Sequence, residues 1–450
     1  MHPRSYPWPE VPALICAVFT AFAPNGSLHA QPAPAPQAQA PESGDSHPAT
    51  PEATPSAAEQ PAEIAPAYAP PPPAAIPPAP PLTEPIPDGT APKAPVPPAF
   101  PPAIPSIDYG ARLRTGLRLQ NPDQPKSLDK VSGTVEADIY FSGQIHRMFK
   151  WLVSATLSYA AQPGTPSAVN WSILDVIARF EPLPEFNLFL GRMLVVADRY
   201  APSGPWGMDE WFFPGFIPGI APPALPKSGP QGRDVGVNAW GTFLEGHLKY
   251  YLGAYQLQDP NLRPLFTGRL QVSLLSPEPN FFQRTTYYGD KDLISVGVGG
   301  QYQAEGSLLV MPAAMPGMMG TTLTDDHTEL NADLIVDKNI GNAGTLSVQG
   351  AGYWFGGDYR AFKSLYLAGV GFLFPQVIGI GKFRPSVRLQ RAQSAAPGAG
   401  GSIVLDVQLS YVIMNWFARV HFGYRHSSVD VGGGAVAGNM LFLGIVLADP

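Results

Sequence analysis

In IDYGARLRTGLRLQ (Ile107–Gln120) the residues change character at every step. Tyr109, Ala111, Leu113, Thr115, Leu117 and Leu119 fall on one face. Gly110, Arg112, Arg114, Gly116, Arg118 and Gln120 fall on the other. A period of two belongs to a strand and not to a helix. Three arginines on one face exclude a dry interior, because an unpaired buried charge is far too costly. The opposite face is apolar. A strand that is apolar outside and charged inside is what the wall of a water-filled membrane barrel requires.

The pattern recurs along the chain. Val131–Phe141 sets Val131, Val135, Ala137, Ile139 and Phe141 against Glu136, Asp138 and Tyr140. Phe149–Tyr159 turns Ser154, Thr156 and Ser158 inward. Trp171–Phe180 is read with Leu174, Val176, Ala178 and Phe180 outward and Asp175 and Arg179 inward. After the turn at Glu181–Glu185 comes Phe186–Val196, then a long insertion, Asp198–Gly232, rich in Trp, Phe, Pro and Gly. Further strands are expected at Arg233–Phe243, Leu248–Gln256, Pro264–Leu275, Leu293–Gln303, His327–Val336 and Gly344–Phe355. The series ends with Lys363–Phe374, Phe383–Gln390, Ser402–Ile413, Phe417–His426 and Gly438–Leu447. This predicts an all-β fold, a transmembrane antiparallel barrel of about sixteen strands, within the even-numbered range of bacterial barrels. With the amino end of the barrel in the periplasm, most periplasmic turns are short, and the insertion is the third external loop. Ser276–Asp292 breaks this pattern, being long for a periplasmic turn, and predicts a missed or misplaced strand. Trp151, Trp171, Trp354, Tyr159, Tyr302, Tyr353, Tyr411 and Phe422 are read as interfacial aromatics near strand ends.

Composition narrows the class. The chain has 450 residues, with 55 prolines and only 14% charged residues. No run of about 20 apolar residues is present, so no helical membrane span is predicted. The net charge of −7 says little about partners. Basic residues are scattered singly, without a nucleic-acid-binding block. The single cysteine, Cys16, lies in the first thirty residues. There Arg4, the apolar stretch Ala13–Ala23 and the small residue Ala30 predict a cleaved secretory signal over residues 1–30. Retention as an anchor, or lipidation at Cys16, is the alternative. Residues 31–106 are dominated by Pro and Ala, which remove backbone donors and fix φ. They predict a disordered polyproline-like periplasmic linker, either a spacer reaching the cell wall or a partner, or a low-complexity tail. The barrel then occupies residues 107–450.

Five stretches resemble the phosphate-selective porin O and P family. They are ILDVIARFEPLPEFNLFLGRM (Ile173–Met193), GRDVGVNAWG (Gly232–Gly241), KYYLGAYQLQDPN (Lys249–Asn261), FTGRLQVSLLSP (Phe266–Pro277) and DLISVGVGGQYQ (Asp292–Gln303). In that family a strand, a short turn and a second strand precede a long loop. The resemblance implies a sixteen-stranded outer-membrane porin, trimeric, passing small anions. Two features depart from it. The last strand, GNMLFLGIVLADP, does not end in an aromatic residue, and the long loop lacks a lysine- and arginine-rich stretch. Phosphate selectivity is therefore not carried over.

The inward faces carry the functional expectation. Arg112, Arg114, Arg118, Arg384, Arg388, Arg419, His421 and Arg425 lie on the first, thirteenth and fifteenth strands, which closure brings to one arc. Glu136, Asp138, Asp175, Glu329 and Asp333 lie largely elsewhere, and Arg269 lines the eighth strand. Such a separation gives a transverse field, and rings of arginine favour anions. The plainer reading is arginines paired with carboxylates that stiffen the wall. Trp206, Asp209, Glu210, Trp211, Phe212 and Phe213 are the expected constriction-loop residues. No catalytic motif of the GxSxG, HExxH or P-loop kind is present, so no enzyme and no cofactor are predicted. Asp325, Asp326, His327 and Glu329, and the methionines Met311, Met315, Met318 and Met319, have metal-ligand chemistry, but solvated loop acids and an adaptable apolar loop explain them better, so no metal site is predicted. The sequence thus predicts a passive porin for small anionic solutes in outer-membrane lipid. Its alternatives are a barrel plugged by its aromatic loop, with an anchoring role, and a soluble all-β protein.

Overall fold

The computed structural model describes residues 106–120, 126–161, 168–214, 227–257, 263–311, 321–358, 360–395, 400–430 and 435–449. The expected export signal, the Pro/Ala-rich segment and the methionines at 315, 318 and 319 lie outside them. The strands are β1 Ser106–Leu119, β2 Val131–His146, β3 Phe149–Ala161, β4 Ala168–Leu183, β5 Phe186–Leu194 and β6 Arg233–Phe243. Next come β7 Leu248–Tyr255, β8 Leu265–Leu275, β9 Leu293–Met311, β10 Thr321–Asn339 and β11 Thr345–Gly356. The last five are β12 Phe362–Leu373, β13 Lys382–Ser394, β14 Gly401–Met414, β15 Ala418–Asp430 and β16 Ala435–Ala448. Each pairs antiparallel with its sequence neighbours, and β16 returns to β1 from Arg112↔Ala448 to Leu119↔Leu441. The sheet is closed, so every strand has a neighbour on both sides.

Register explains which side chains meet. Cross-strand partners share a face, so Arg112↔Asp138 and Arg114↔Glu136 place β1 cations beside β2 carboxylates inside the barrel. Leu113, Leu117, Val135, Ile139, Leu157, Val298, Leu330 and Leu443 are exposed on the outside. Charge on a lipid-facing position costs roughly 2–4 kcal/mol at mid-membrane, which accounts for the apolar outer faces. Among the described residues no helix is long and apolar enough to cross a membrane.

Three local expectations are corrected. Leu174 is buried and not outward-facing. The β3 register jumps from Ser154↔Asp175 to Ala155↔Ile173, leaving Leu174 as the extra residue of a β-bulge, and a bulge shifts the alternation by one. Tyr353 points inward, fully buried, unlike Trp171, Trp354, Tyr302 and Phe422, which are exposed outside. Residues 276–292 form no strand but fold into the barrel. Leu275 adopts φ +66°, which ends β8. Pro277 and Pro279 then remove the donors that a further ladder would need.

β5 sets up the interior. It has 9 residues against 16 in β4, so the chain leaves the wall early, at Leu194. Beyond its end Arg233 of β6 reaches Asp175 of β4 through two hydrogen bonds of 2.9 and 3.1 Å, bridging the gap. Gly191, at φ +124°, lies against the Val176 carbonyl where a Cβ would collide.

Candidate pore constriction

The segment after β5 enters the lumen and is buried from Val195 to Tyr200 and again from Met208 to Phe212. It is held by polar contacts at nearly every step. Asp198 accepts from the Ala201 amide at 2.8 Å and from the Tyr353 hydroxyl at 2.6 Å, which is why that tyrosine faces inward. Asn331 donates to the Ala197 carbonyl at 3.1 Å. Arg199 grips Glu278 with two bonds of 2.7 and 3.0 Å, and also donates to the Arg284 carbonyl at 2.9 Å. Glu278 belongs to the 276–292 segment, which rises from the opposite end of the barrel. The two loops meet again where the Thr285 amide donates to the Gly207 carbonyl at 3.0 Å and Tyr288 donates to Asp209 at 2.7 Å. Burial raises the Glu278 pKa, but the Arg199 guanidinium outweighs it, aided by Lys249 and Tyr287. The carboxyl is held well below its ordinary range.

The arginines of β13 and β15 face inward as expected but lie beneath this loop. Arg384 donates to Asp209 at 2.9 Å. Arg388 donates to the Phe212 carbonyl at 2.6 Å and pairs with Asp406 of β14 at 3.0 Å. Arg425 pairs with the same carboxylate at 2.5 Å and stacks over Phe212, 3.8 Å from the ring centre. Arg419 donates to the Met208 carbonyl at 2.9 Å. His421 is buried beside Gln408 and Ser410, with the Trp211 ring 6.0 Å away. Glu210 accepts from Gln349 and lies 3.9 Å from Arg388. Asp209, Glu210 and Asp406 thus bring negative charge into the basic arc, against the expected separation of acid and base. On the far wall Arg269 pairs with Asp333, and Glu329 accepts from Asn331 at 3.0 Å, all buried.

The remaining wall is different. On β1–β4 the inward charged side chains other than Asp138 and Asp175 stay partly exposed. Arg114 donates to the Trp211 carbonyl, stacks over its ring at 4.1 Å and lies 3.6 Å from Glu136, yet retains 18% exposure, and Glu136 30%. Arg112 lies over Tyr140 at 4.8 Å and Trp206 at 5.9 Å, and Arg118 over Phe212 at 5.5 Å. Such stacking is attractive for a guanidinium. Among the described residues no carboxylate comes within ion-pair distance of Arg118; Asp138 is buried, its oxygen accepting from Trp206 at 2.5 Å. Nearer the terminus-bearing mouth, Glu181 bridges Lys150 at 2.6 Å and Arg179 at 2.5 Å. Along β1–β4 the water-accessible cations Arg112, Arg114, Arg118, Lys150 and Arg179 outnumber the carboxylates Asp108, Glu136 and Glu181.

Trp211 packs against the inner wall. Its ring lies on Gly116 of β1, 2.6 Å from where a Cβ would sit, and on Gly444 of β16. Phe212 meets Phe442 edge-on, 4.9 Å between centroids, and Phe213 packs against the buried cluster around Tyr200 and Tyr353. The candidate metal residues separate: Asp326 accepts from Tyr302, Asp325 from the Asp358 amide, and Glu329 points into the barrel. Arg199, Glu278, Tyr288 and Asp406 were missed by sequence reading. Asp406 alone had a signal, since it shares the inward alternation of Val404, Gln408 and Ser410.

No family model and no curated protein matches the sequence. Solved structures do match. One is the high-pH structure of Pseudomonas putida OprB, with a TM-score of 0.52 and 8% identity over 76% of this chain and 94% of that one. The fold is a porin-type barrel. An anion-selective porin from Comamonas acidovorans gives 0.47 at 12% identity, over 77% of this chain and 100% of that one. The outer membrane channel DcaP of Acinetobacter baumannii gives 0.47 at 10%, over 77% and 97%. At these identities the likeness is one of fold alone.

Proposed function

We propose that this protein is an outer-membrane porin through which small solutes diffuse passively, with anions favoured. One observation carries the reading: on β1–β4 several inward charged side chains are still reached by water, and cations predominate among them. The far wall is covered by the two loops. Partly desolvated arginines lining a narrow path replace some of an anion's hydration and repel cations. No bond is made or broken, and no cofactor is invoked. The stretch resembling the phosphate-selective family supports membership of that wider group, a trimer and export by the residues 1–30 signal. Residues 31–106 are then a periplasmic linker, free to contact the cell wall. Phosphate selectivity itself finds no support in the loop.

A planar-bilayer measurement under a salt gradient tests this. Discrete steps with a reversal potential on the anion side are expected. A cation-side potential defeats the anion reading.

A second reading is favoured by the contact between the loops. Arg199–Glu278 and Asp209–Tyr288 join two segments from opposite mouths across the lumen. A barrel sealed in this way serves as an anchor. Folded, inserted protein without conductance would establish that reading in place of the first.

A further inference from the structure

Residues 374–381, FPQVIGIG, join β12 to β13 at the end of the barrel that carries Ser106 and Ala448. Turn segments in water usually carry Asn, Asp, Ser, Gly and Pro. Here Phe374, Val377, Ile378 and Ile380 are all exposed. The turn is nevertheless ordered against the outer wall. Tyr411, an outward residue of β14, donates its hydroxyl to the Ile378 carbonyl at 2.5 Å and accepts the Ile380 amide at 2.9 Å. An isolated bridge joins Ile378 to Gly381, and a Cβ on Gly381 would lie 2.6 Å from the Val412 carbonyl. Gly379, at φ +67°, supplies the reversal. The turn therefore folds back along the outside of the barrel.

Between turn and wall lies a groove of about 570 Å³ lined by Phe374, Gln376, Ile378, Phe383 and Leu409. No lining residue is charged. The groove runs without a break into the exposed apolar surface of β13 and β14, where Val387, Leu389, Ile403, Val407 and Leu409 face outward. That surface is the barrel's lipid-facing band in the membrane reading above, on which this inference rests. A concave apolar site continuous with a hydrocarbon-facing wall fits a flexible chain of methylenes. Gln376 is the polar residue of the lining, and beside the groove the Tyr411 hydroxyl is already satisfied by the turn backbone, as suits a membrane interface.

We propose that this turn dips into the bilayer and that the groove binds one acyl chain of a membrane phospholipid. The occupant is set by chemistry: hydrocarbon, in contact with Ile378 and Leu409 at once.

The test uses the full chain with Cys16→Ser, reconstituted into phosphatidylcholine vesicles brominated on their acyl chains. Bimane is placed at Ile378→Cys in one variant and at Val407→Cys, mid-wall, in another. Bromine is expected to quench both labels alike, and aqueous iodide neither. Iodide quenching at 378 but not at 407 would overturn the proposal, because the turn would then stand in water. Protection of 378 from both quenchers, with 407 still quenched by bromine, would also overturn it, because protein would then fill the groove. Iodide quenching at 407 would instead reject the membrane reading itself.

Discussion

The contact between the two lumen loops can be put to a quantitative test with Arg199→Ala. Both side chains of the Arg199–Glu278 pair are 2% exposed, so solvent screening is negligible. Two charge-assisted bonds of 2.7 and 3.0 Å are lost, each worth about 1.5–3 kcal/mol. The Glu278 carboxylate stays behind without its cation. Gln271 at 2.7 Å and Ser273 at 3.3 Å continue to hydrogen-bond it, which limits the penalty. Removing one partner of a buried pair typically costs about 3–5 kcal/mol, and the surviving bonds place this case toward the lower end. Guanidinium unfolding in detergent micelles, followed by tryptophan fluorescence, measures it. The paired variant Arg199→Met with Glu278→Leu leaves no stranded charge and is expected to lose much less. The pH dependence follows from the sign of the shift. Glu278 has a depressed folded pKa, so the pair's contribution is complete above the ordinary glutamate value of about 4.3. It is lost only as pH falls through the folded value below that. In the unaltered protein the pair's contribution should therefore hold constant from neutral pH down to about 5, whereas in Arg199→Ala burial raises the stranded carboxyl, so the gap between the two should narrow as pH falls. A loss below about 1 kcal/mol at neutral pH, against the 3–5 expected for a buried pair, would refute the reasoning.

Other expectations follow from the same geometry. Replacing Arg112, Arg114 and Arg118 together by Gln should move the reversal potential toward zero in bilayer recordings. Arg384→Gln should leave selectivity in place while lowering stability by about 3–5 kcal/mol, since its partner Asp209 is buried. Asp406→Asn strands two arginines, Arg388 and Arg425, and is expected to lower the guanidinium midpoint at a cost of similar size, about 3–5 kcal/mol. Gly444→Val pushes the Trp211 ring off the wall toward the lumen, so single-channel conductance should fall; an unchanged conductance would mean that Trp211 does not border the path.

Every strand was legible because the signal is local. Alternation and turn residues lie within ten residues of one another, and the bilayer demands an apolar outer face at every second position. That signal fails where the alternation slips: a single extra residue at Leu174 turned a predicted outward side chain inward. It is silent about loops. Nothing in PEPNFF tells that Glu278 waits for Arg199, because that pairing depends on two excursions into a shared space. The basic arc lies inward, and the plainer reading of arginines paired with carboxylates describes its β13 and β15 members; which carboxylates pair with them was not legible. Asp209 and Glu210 reach it from a segment with no periodicity, and Asp406 sits among apolar neighbours where one carboxylate draws little notice.

The position of Trp211 bears on how the barrel assembles. Its ring straddles the seam between the first strand and the last, resting on Gly116 and Gly444. That seam pairs residues more than three hundred positions apart, the most distant strand pairing among the described residues. Long-range pairing of this kind is slow to form, since the loop-closure entropy must be met before any contact compensates it. A ring that touches both sides of the join rewards closure only when the loop is already inside. Closing the cylinder and seating the loop are thereby coupled, and a barrel that shut with its loop outside would lack one of the contacts that fasten its own seam.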